Sequence, residues 1–498
     1  MRKDNDNTMR RKQAKERRSG SGLYKILSII YTVLFVCFAG ILIWLNMLPA
    51  KYLYPLLGVL LLISVFIVPV LFSRNGKKKR QKTAAVLAVI LSLVFGAGTY
   101  FLGSTLGFLS DITGALGINS EEYYVIVDSE SEYDDVQQLQ GAYIGTYMDS
   151  DASYAEAKNK LAEEVTVEYA YISDMDLLYS GLQNAEYPAV FVSATSYNDY
   201  ADDNETLKDE TRIIYTVKVT VGGAAAAKNV DVTKEPFNVY VSGIDTTGEI
   251  ANVSRTDVNM IVTVNPQTNE VLITSIPRDY YVMLPSKGAY DKLTHSGLYG
   301  INESIAAAEQ LLGIEINYYA RVNFTTVVQL VDAIGGVDVD SPLAFTTHGM
   351  GELNNITFVQ GINHLDGNMA LAFCRERKSF VNGDMQRNEN QQLVMEAIIK
   401  KLTSSAAIIT NYGDLLDAVN GNVETNFSAS ELKSLVKYQL GGMPSWNIEK
   451  NALKGTAGSA YCYALGQNAS VVQPDQAQVV QATEQIIGVM NGGESEAE

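Results

Sequence analysis

The chain has 498 residues, 47% hydrophobic and 19% charged, with three Cys, three His and a net charge of −18. This length exceeds the usual prior of about 100–200 residues per domain, so several domains are expected. Three His exclude His-rich metal chemistry, and no HExxH, G-x-x-x-x-G-K-[ST] or G-x-S-x-G occurs. Zincin, Walker-type and serine-esterase readings therefore lose their support.

Residues 1–102 contain three uncharged apolar runs, 26–45, 52–72 and 83–102, of 20, 21 and 20 residues. Each can cross a hydrocarbon core of about 30 Å as a helix. The tail 1–22 carries eight Lys and Arg, and the loop between the second and third runs carries six. The loop 46–51 carries one. Positive-inside reasoning puts the tail and second loop in the cytoplasm and everything after Leu102 outside. The expectation is a multi-pass cell-membrane protein with a cytoplasmic N-terminus and an extracellular C-terminal domain.

Residues 1–102 hold 16 of the 38 Lys and Arg and 3 of the 56 Asp and Glu. The other 396 residues keep 22 and 53, a net of −31. Such a surface repels nucleic acid, whose binding relies on Lys and Arg neutralising phosphates. Cys37 falls in the first apolar run, leaving Cys374 and Cys462 outside, where one bridge is an open alternative.

Residues 118–221 read as a small α/β accessory domain. Strands are expected at 123–127, 142–146, 166–171, 189–192 and 212–221, and helices at 154–164 and 175–184. No catalytic constellation occurs there, so a spacer or docking domain is the preferred reading. Residues 222–235 begin Gly-Gly-Ala-Ala-Ala-Ala and form a linker. Residues 236–490 form a second, larger α/β domain. Strands are expected at 237–244, 259–264, 271–276, 316–322 and 337–339. Helices follow at 302–312 and 324–334 and then dominate, at 367–373, 387–402, 428–440 and 477–489. The tail 491–498 is expected to be disordered.

Seven Arg and fifteen Lys lie beyond the apolar runs, and six of those Arg fall in the second domain. They are Arg255, Arg278, Arg321, Arg375, Arg377 and Arg387, several beside a carboxylate. Arg grips phosphate bidentately through a rigid fork of donors, so the set points to an oxyanion site. Asp245 ends the strand 237–244, and Asp257 lies twelve residues on, before the next strand. Both carboxylates can meet one Mg²⁺, which takes one or two carboxylates and lets substrate phosphates complete its shell. Arg387 and Gln391 share a helix face at i and i+4. Arg375 and Arg377 point the same way if their stretch is extended.

The run Gly243-Ile244-Asp245, Ser254-Arg255-Thr256-Asp257, Ser275-Ile276-Pro277-Arg278-Asp279, Asp332 through Val339, Arg375-Glu376-Arg377 and Asp384…Arg387…Gln391-Gln392 resembles the LytR–CpsA–Psr family over residues 237–402. Three apolar runs plus an accessory domain resemble its capsule-attachment branch. The resemblance implies an α-β-α sandwich with a central mixed sheet. It also implies transfer of a glycopolymer from a polyprenyl-pyrophosphate-linked donor to peptidoglycan, releasing polyprenyl phosphate. By motif, Asp245 and Asp257 would hold Mg²⁺, with Mn²⁺ as a substitute. Arg255, Arg278, Arg375, Arg377, Arg387 and Gln391 would bind the pyrophosphate, with Asp257 and Arg278 also catalytic. Asp279 and Asp384 are alternative proton acceptors. Lys292 and Arg321 sit where the motif is looser, and Cys374 is expected to be a buried small hydrophobe. Two other readings use the same sequence: a pyrophosphatase with water as acceptor, and a non-catalytic envelope regulator.

The charge contrast generates a topological prediction. A reporter fused after Gly103 is expected to be active only outside the cell; cytoplasmic activity would overturn the assignment.

Overall fold

The computed structural model describes residues 2–73, 78–114, 120–147, 152–204, 206–220, 227–244, 254–348, 353–381, 383–404, 418 and 423–492. The chain divides into two units, Met1–Asp111 with Ala429–Pro444, and Ile112–Ser428 with Ser445–Glu498.

In the first unit the apolar runs fold into helices Arg2–Leu45, Ala50–Phe72 and Lys78–Gly114. Their segments Gly22–Leu45, Ala50–Phe72 and Lys78–Gly103 are long and apolar enough to cross a membrane. Most of their large side chains are exposed, and a narrow seam of Tyr31, Ile67, Leu71, Ala84, Ala88 and Phe95 holds them together. Tyr31 and Ser64 share a hydrogen bond of 2.8 Å within that seam. A fourth helix, Ala429–Gly442, clusters with this unit. Lys437 Nζ lies 2.9 Å from Asn46 Oδ1, and Lys433 sits 5.7 Å above the Trp44 ring.

The second unit begins with a five-stranded sheet. Its strands are β1 (Ser120–Asp128), β2 (Tyr143–Tyr147), β3 (Glu168–Ile172), β4 (Val190–Ser193) and β5 (Thr211–Thr220), in the order β3-β2-β4-β1-β5. Helices Ala152–Glu164 and Met175–Gln183 pack through two separate clusters, centred on Tyr154 and Leu161 and on Leu178 and Leu182. Each of these elements was legible in the sequence. Helices Ala194–Asp203 and Leu207–Glu210 were not.

The larger sheet contains β6 (Phe237–Ile244), β7 (Thr256–Asn265), β8 (Glu270–Ser275), β11 (Tyr318–Asn323), β16 (Val423–Thr425) and β17 (Asn447–Ala452). Their order is β16-β11-β6-β7-β8-β17. The sheet is mixed: β11 and β17 pair in parallel with β6 and β8, and the remaining pairs are antiparallel. All eight residues of β6 are buried, as a central strand covered on both faces requires. Helices Ile301–Leu312 and Gln476–Met490 cover one face through Ile305, Ala308, Leu312, Val479 and Ile486, against Tyr240, Ile261 and Leu272. Helices Phe324–Ala333 and Gly383–Ser404 pack against β11, β8 and β17, so the domain is an α-β-α sandwich.

The expectation that helices dominate after residue 340 is corrected. Four two-stranded sheets also occur among the described residues, three of them reaching beyond residue 340. They pair β9 (Tyr281–Leu284) with β10 (Ala289–Lys292), and β12 (Val337–Ser341) with β15 (Gly361–Leu365). The others pair β13 (Phe345–His348) with β14 (Asn354–Phe358), and β18 (Gly455–Cys462) with β19 (Gln467–Pro474). β18 reads Gly-Thr-Ala-Gly-Ser-Ala-Tyr-Cys and is mostly exposed, so no apolar alternation marks it. Cys374 and Cys462 are free thiols, which settles the disulfide alternative.

Candidate active site

Strands β6, β8 and β11 end, and β7 begins, along one edge of the larger sheet. Gly243 pairs with Val258, but Ile244 pairs with Thr256, so Asp257 is an extra residue without a partner across the strand. Such a bulge re-aims a side chain. A Cβ on Gly243 would stand 2.7 Å from Val258, so glycine permits the close crossing. Below the bulge, Ser242 and Thr256 hydroxyls lie 2.8 Å apart, and Thr256 Oγ1 donates to Asn259 Oδ1 at 3.0 Å. Tyr240 donates to the same oxygen from the core. This network fixes the start of β7.

Arg278 and Asp279 follow β8 after Ile276 and Pro277. Arg278 Nη1 donates to both Asp257 oxygens, at 3.2 and 3.1 Å. Thr294 Oγ1 donates to Asp257 Oδ1 at 3.1 Å, and Thr294 N donates to Arg278 O at 2.8 Å. Thr294 lies in the short helix Leu293–Ser296, which a buried His295–Asp291 contact of 2.6 Å anchors. Gly297 lets that segment approach β7: a Cβ there would be 2.5 Å from Ser254 O. Asp279 Oδ2 is 3.7 Å from Arg278 Nε, and its Oδ1 is 3.2 Å from Lys292 Nζ.

The second wall is helix Gly383–Ser404. Gln392 Nε2 bonds Ile273 O at 3.1 Å and Asn390 Nδ2 bonds Phe373 O at 3.1 Å, tying the helix to the sheet and to helix Gly367–Arg375. Arg387 Nη2 stands 3.0 Å from Asp384 Oδ1, one turn back. Gln391, one turn on, donates to Cys374 O at 3.4 Å. Arg375 ends its helix with its guanidinium 4.2 Å from the Phe324 ring. The stretch is therefore not a continuous strand, and the condition for Arg375 and Arg377 sharing one side is not met.

Burial is the largest influence on Asp257 and pushes its carboxyl up, but Arg278, Arg255 and Arg387 outweigh it and hold the group below its ordinary value. Burial also opposes the charge of Arg278, yet Asp257, Asp279 and Asp384 keep it above its ordinary value. Arg387 behaves in the opposite way. Burial and then repulsion from Arg278 push it down, beyond what Asp384 and Asp257 restore. Among the described residues, Arg387 Nε and Arg278 Nε are buried without a hydrogen-bond partner, and Arg387 Nη2 has only its ion pair with the half-exposed Asp384. Leaving a buried charged donor unmet costs more than the ~1–3 kcal/mol of a neutral group.

The structure thus brings Asp257, Arg278, Asp279, Asp384 and Arg387 into one charge cluster, with Arg255 acting on Asp257 and Arg377 on Arg387. Asp245 lies outside the described residues. Arg321 lies elsewhere, in a buried pair with Glu424 at 3.2 Å. Burial pushes the Cys374 thiol up to about 12, as expected for an inert side chain. Thr294 and Phe324 escaped the sequence reading, because a hydroxyl or ring has no local pattern. Lys292 proves closer to the cluster than its loose motif implied. No group of three His, Cys, Asp or Glu side chains suited to a metal occurs among the described residues. Asp257 nevertheless offers the ionised carboxylate that a hard cation requires.

The sequence model of the LytR_cpsA_psr family matches residues 190–487. A Bacillus mycoides protein named polyisoprenyl-teichoic acid–peptidoglycan teichoic acid transferase TagU is 37% identical over 244 residues, 49% of this chain and 76% of its own length. The Enterococcus faecalis protein of that name is 36% identical over 205 residues, 41% of this chain and 65% of its own length. The crystal structure of Bacillus subtilis TagU aligns with a TM-score of 0.40 at 29% identity, covering 52% of this chain and 97% of that one.

The two sides of the charge cluster predict opposite stability effects. Asp257→Ala strands the Arg278 guanidinium and is expected to destabilise the fold by about 3–5 kcal/mol. Arg387→Met removes a buried cation with unmet donors and is expected to leave the melting temperature unchanged or raised. Thermal denaturation of the full chain in detergent, without substrate, checks both. Equal losses would show that the protein already satisfies Arg387.

Proposed function

The chain belongs to the LytR_cpsA_psr family, and from that membership we propose that it transfers a glycopolymer from a polyprenyl-pyrophosphate carrier to peptidoglycan. The observation that carries the reading is the buried Arg387 guanidinium beside Arg278, with Nε unmet and only the half-exposed Asp384 against Nη2. An anion with several oxygens, such as a pyrophosphate, supplies the acceptors that these donors lack. Arg255, Arg375 and Arg377 extend the positive wall, and Gln391 adds a neutral amide.

The acceptor hydroxyl of peptidoglycan attacks the sugar-proximal phosphorus. A new P–O bond forms, the P–O bond to polyprenyl phosphate breaks, and that phosphate departs with the bonding electrons. The hydroxyl proton passes to a carboxylate, with Asp279 and Asp384 as the two candidates. Lys292 beside Asp279 keeps that carboxylate oriented. The guanidiniums stabilise charge on the phosphoryl oxygens, where preorganised donors act most strongly in a water-poor site. Asp257, held by Arg278 and Thr294, fixes the direction of the first guanidinium. Asp257 together with Asp245 would hold Mg²⁺, or Mn²⁺ in its place, and the ion would add positive charge against the pyrophosphate oxygens.

The same reading sets the chain in the cell membrane through its three apolar helices, with the tail cytoplasmic and the sandwich outside. Capsular polysaccharide and teichoic-acid-like polymers both fit a site that grips the linkage rather than the sugars.

Incubating the full chain in detergent with lipid-linked glycan, Mg²⁺ and insoluble peptidoglycan is expected to move the glycan into the insoluble fraction and release polyprenyl monophosphate. Arg278→Lys is expected to cut the rate by about a hundredfold or more, because an ammonium cannot reproduce the two-point grip. Glycan appearing only as a soluble phosphate would mean that water is the acceptor, and the transfer reading would fail.

A further inference from the structure

The β9–β10 hairpin has two chemically different faces. Val282, Leu284 and Asp291 point inward and are buried, as is Tyr280 just before the hairpin. Because side chains alternate along a strand, Tyr281 and Met283 lie on the other side, with Tyr290 and Lys292 of the partner strand, and Lys292 Nζ meets Asp279 Oδ1 at 3.2 Å. Lys292 stands directly opposite Tyr281, and Tyr290 opposite Met283. Tyr281 and Tyr290 stack diagonally, with ring centroids 5.3 Å apart and planes 29° apart.

The aromatic surface continues beyond the hairpin. Tyr281 donates its hydroxyl to Tyr461 O at 2.8 Å, and Tyr463 N donates to Tyr290 O at 3.4 Å. Tyr463 lies 6.2 Å from the Tyr299 ring, over which Lys287 stands at 4.2 Å. Tyr290, Tyr461 and Tyr463 are 49%, 54% and 37% exposed, high values for rings gathered in one place. Exposed aromatic patches of this kind mark binding surfaces. Tyr offers an apolar ring face and a polar tip. That pairing matches a pyranose ring, which has a C–H face and a rim of hydroxyls.

We propose that this tyrosine strip binds the glycan strand of the peptidoglycan acceptor and delivers its hydroxyl to the Asp279–Lys292 end of the site. The assignment rests on the transfer reading above. It falls on the acceptor rather than the donor because the strip starts at Asp279, a candidate recipient of the acceptor proton. The donor's anionic linkage belongs to the arginine wall. A strip of several rings also suits an extended polymer better than a single sugar.

Co-sedimentation of the full chain in detergent with insoluble peptidoglycan stripped of attached polymers tests the surface directly, with no donor present. The wild type is expected to sediment. Tyr290→Ala and Tyr461→Ala are expected to weaken binding about three- to tenfold with unchanged melting temperatures. Tyr290→Trp, which keeps a stacking face, is expected to retain it. A wild type that stays soluble, an alanine variant that binds like wild type, or a Trp variant as weak as Ala would each overturn the proposal. A chain that binds through the strip yet transfers nothing would overturn the transfer reading and leave this surface standing.

Discussion

A largely buried cluster of guanidinium and carboxylate charge organises the catalytic domain. Arg278 and Arg387 are both largely withdrawn from water, and Asp257 supplies a close two-oxygen partner to the first alone. Withdrawing two like charges from solvent costs several kcal/mol each, so the fold must hold them there. It does so by anchoring each one elsewhere. The bulge at Asp257 turns a carboxylate toward Arg278, and the bonds from Asn390 and Gln392 hold the Arg387 helix against its neighbours.

The rest of the sandwich follows from that demand. A mixed sheet whose strands end along one edge brings the start of β7 and the ends of β6, β8 and β11 together, and sequence-distant charges meet there. The fully buried β6 gives that edge a rigid floor, and the Tyr240–Asn259–Thr256 network stiffens the strand beside it. Stability surrendered at the cluster is recovered in the apolar layers, where Tyr240, Ile261 and Tyr319 meet Ile305, Leu312 and Ile486. A site poised for an anion that the protein itself does not supply is an ordinary form of the trade between stability and activity.

Much of this was legible in the sequence, and the gaps have physical causes. The strands 237–244 and 271–276 announce themselves as continuous apolar runs, and the apolar helices by length alone. The arginines stood out because an acidic chain uses Arg sparingly. The bulge did not stand out, since register is a property of two strands and Asp257 reads locally as an ordinary turn residue. Thr294 and Phe324 act only through residues distant in sequence. The exposed hairpin of β18 and β19 is built from small neutral side chains, which carry no periodic signal. Helix Ala429–Gly442 was legible along the chain, but pattern reveals a helix without revealing what it packs against.

The central claim is that unmet guanidinium donors await a pyrophosphate, and calorimetric titration of the full chain with farnesyl pyrophosphate and farnesyl monophosphate tests it most directly. Wild type is expected to prefer the pyrophosphate by about tenfold or more, and Arg387→Met to lose that preference without losing its fold. Equal affinity for both ligands, or an unaltered preference in the variant, would contradict the account.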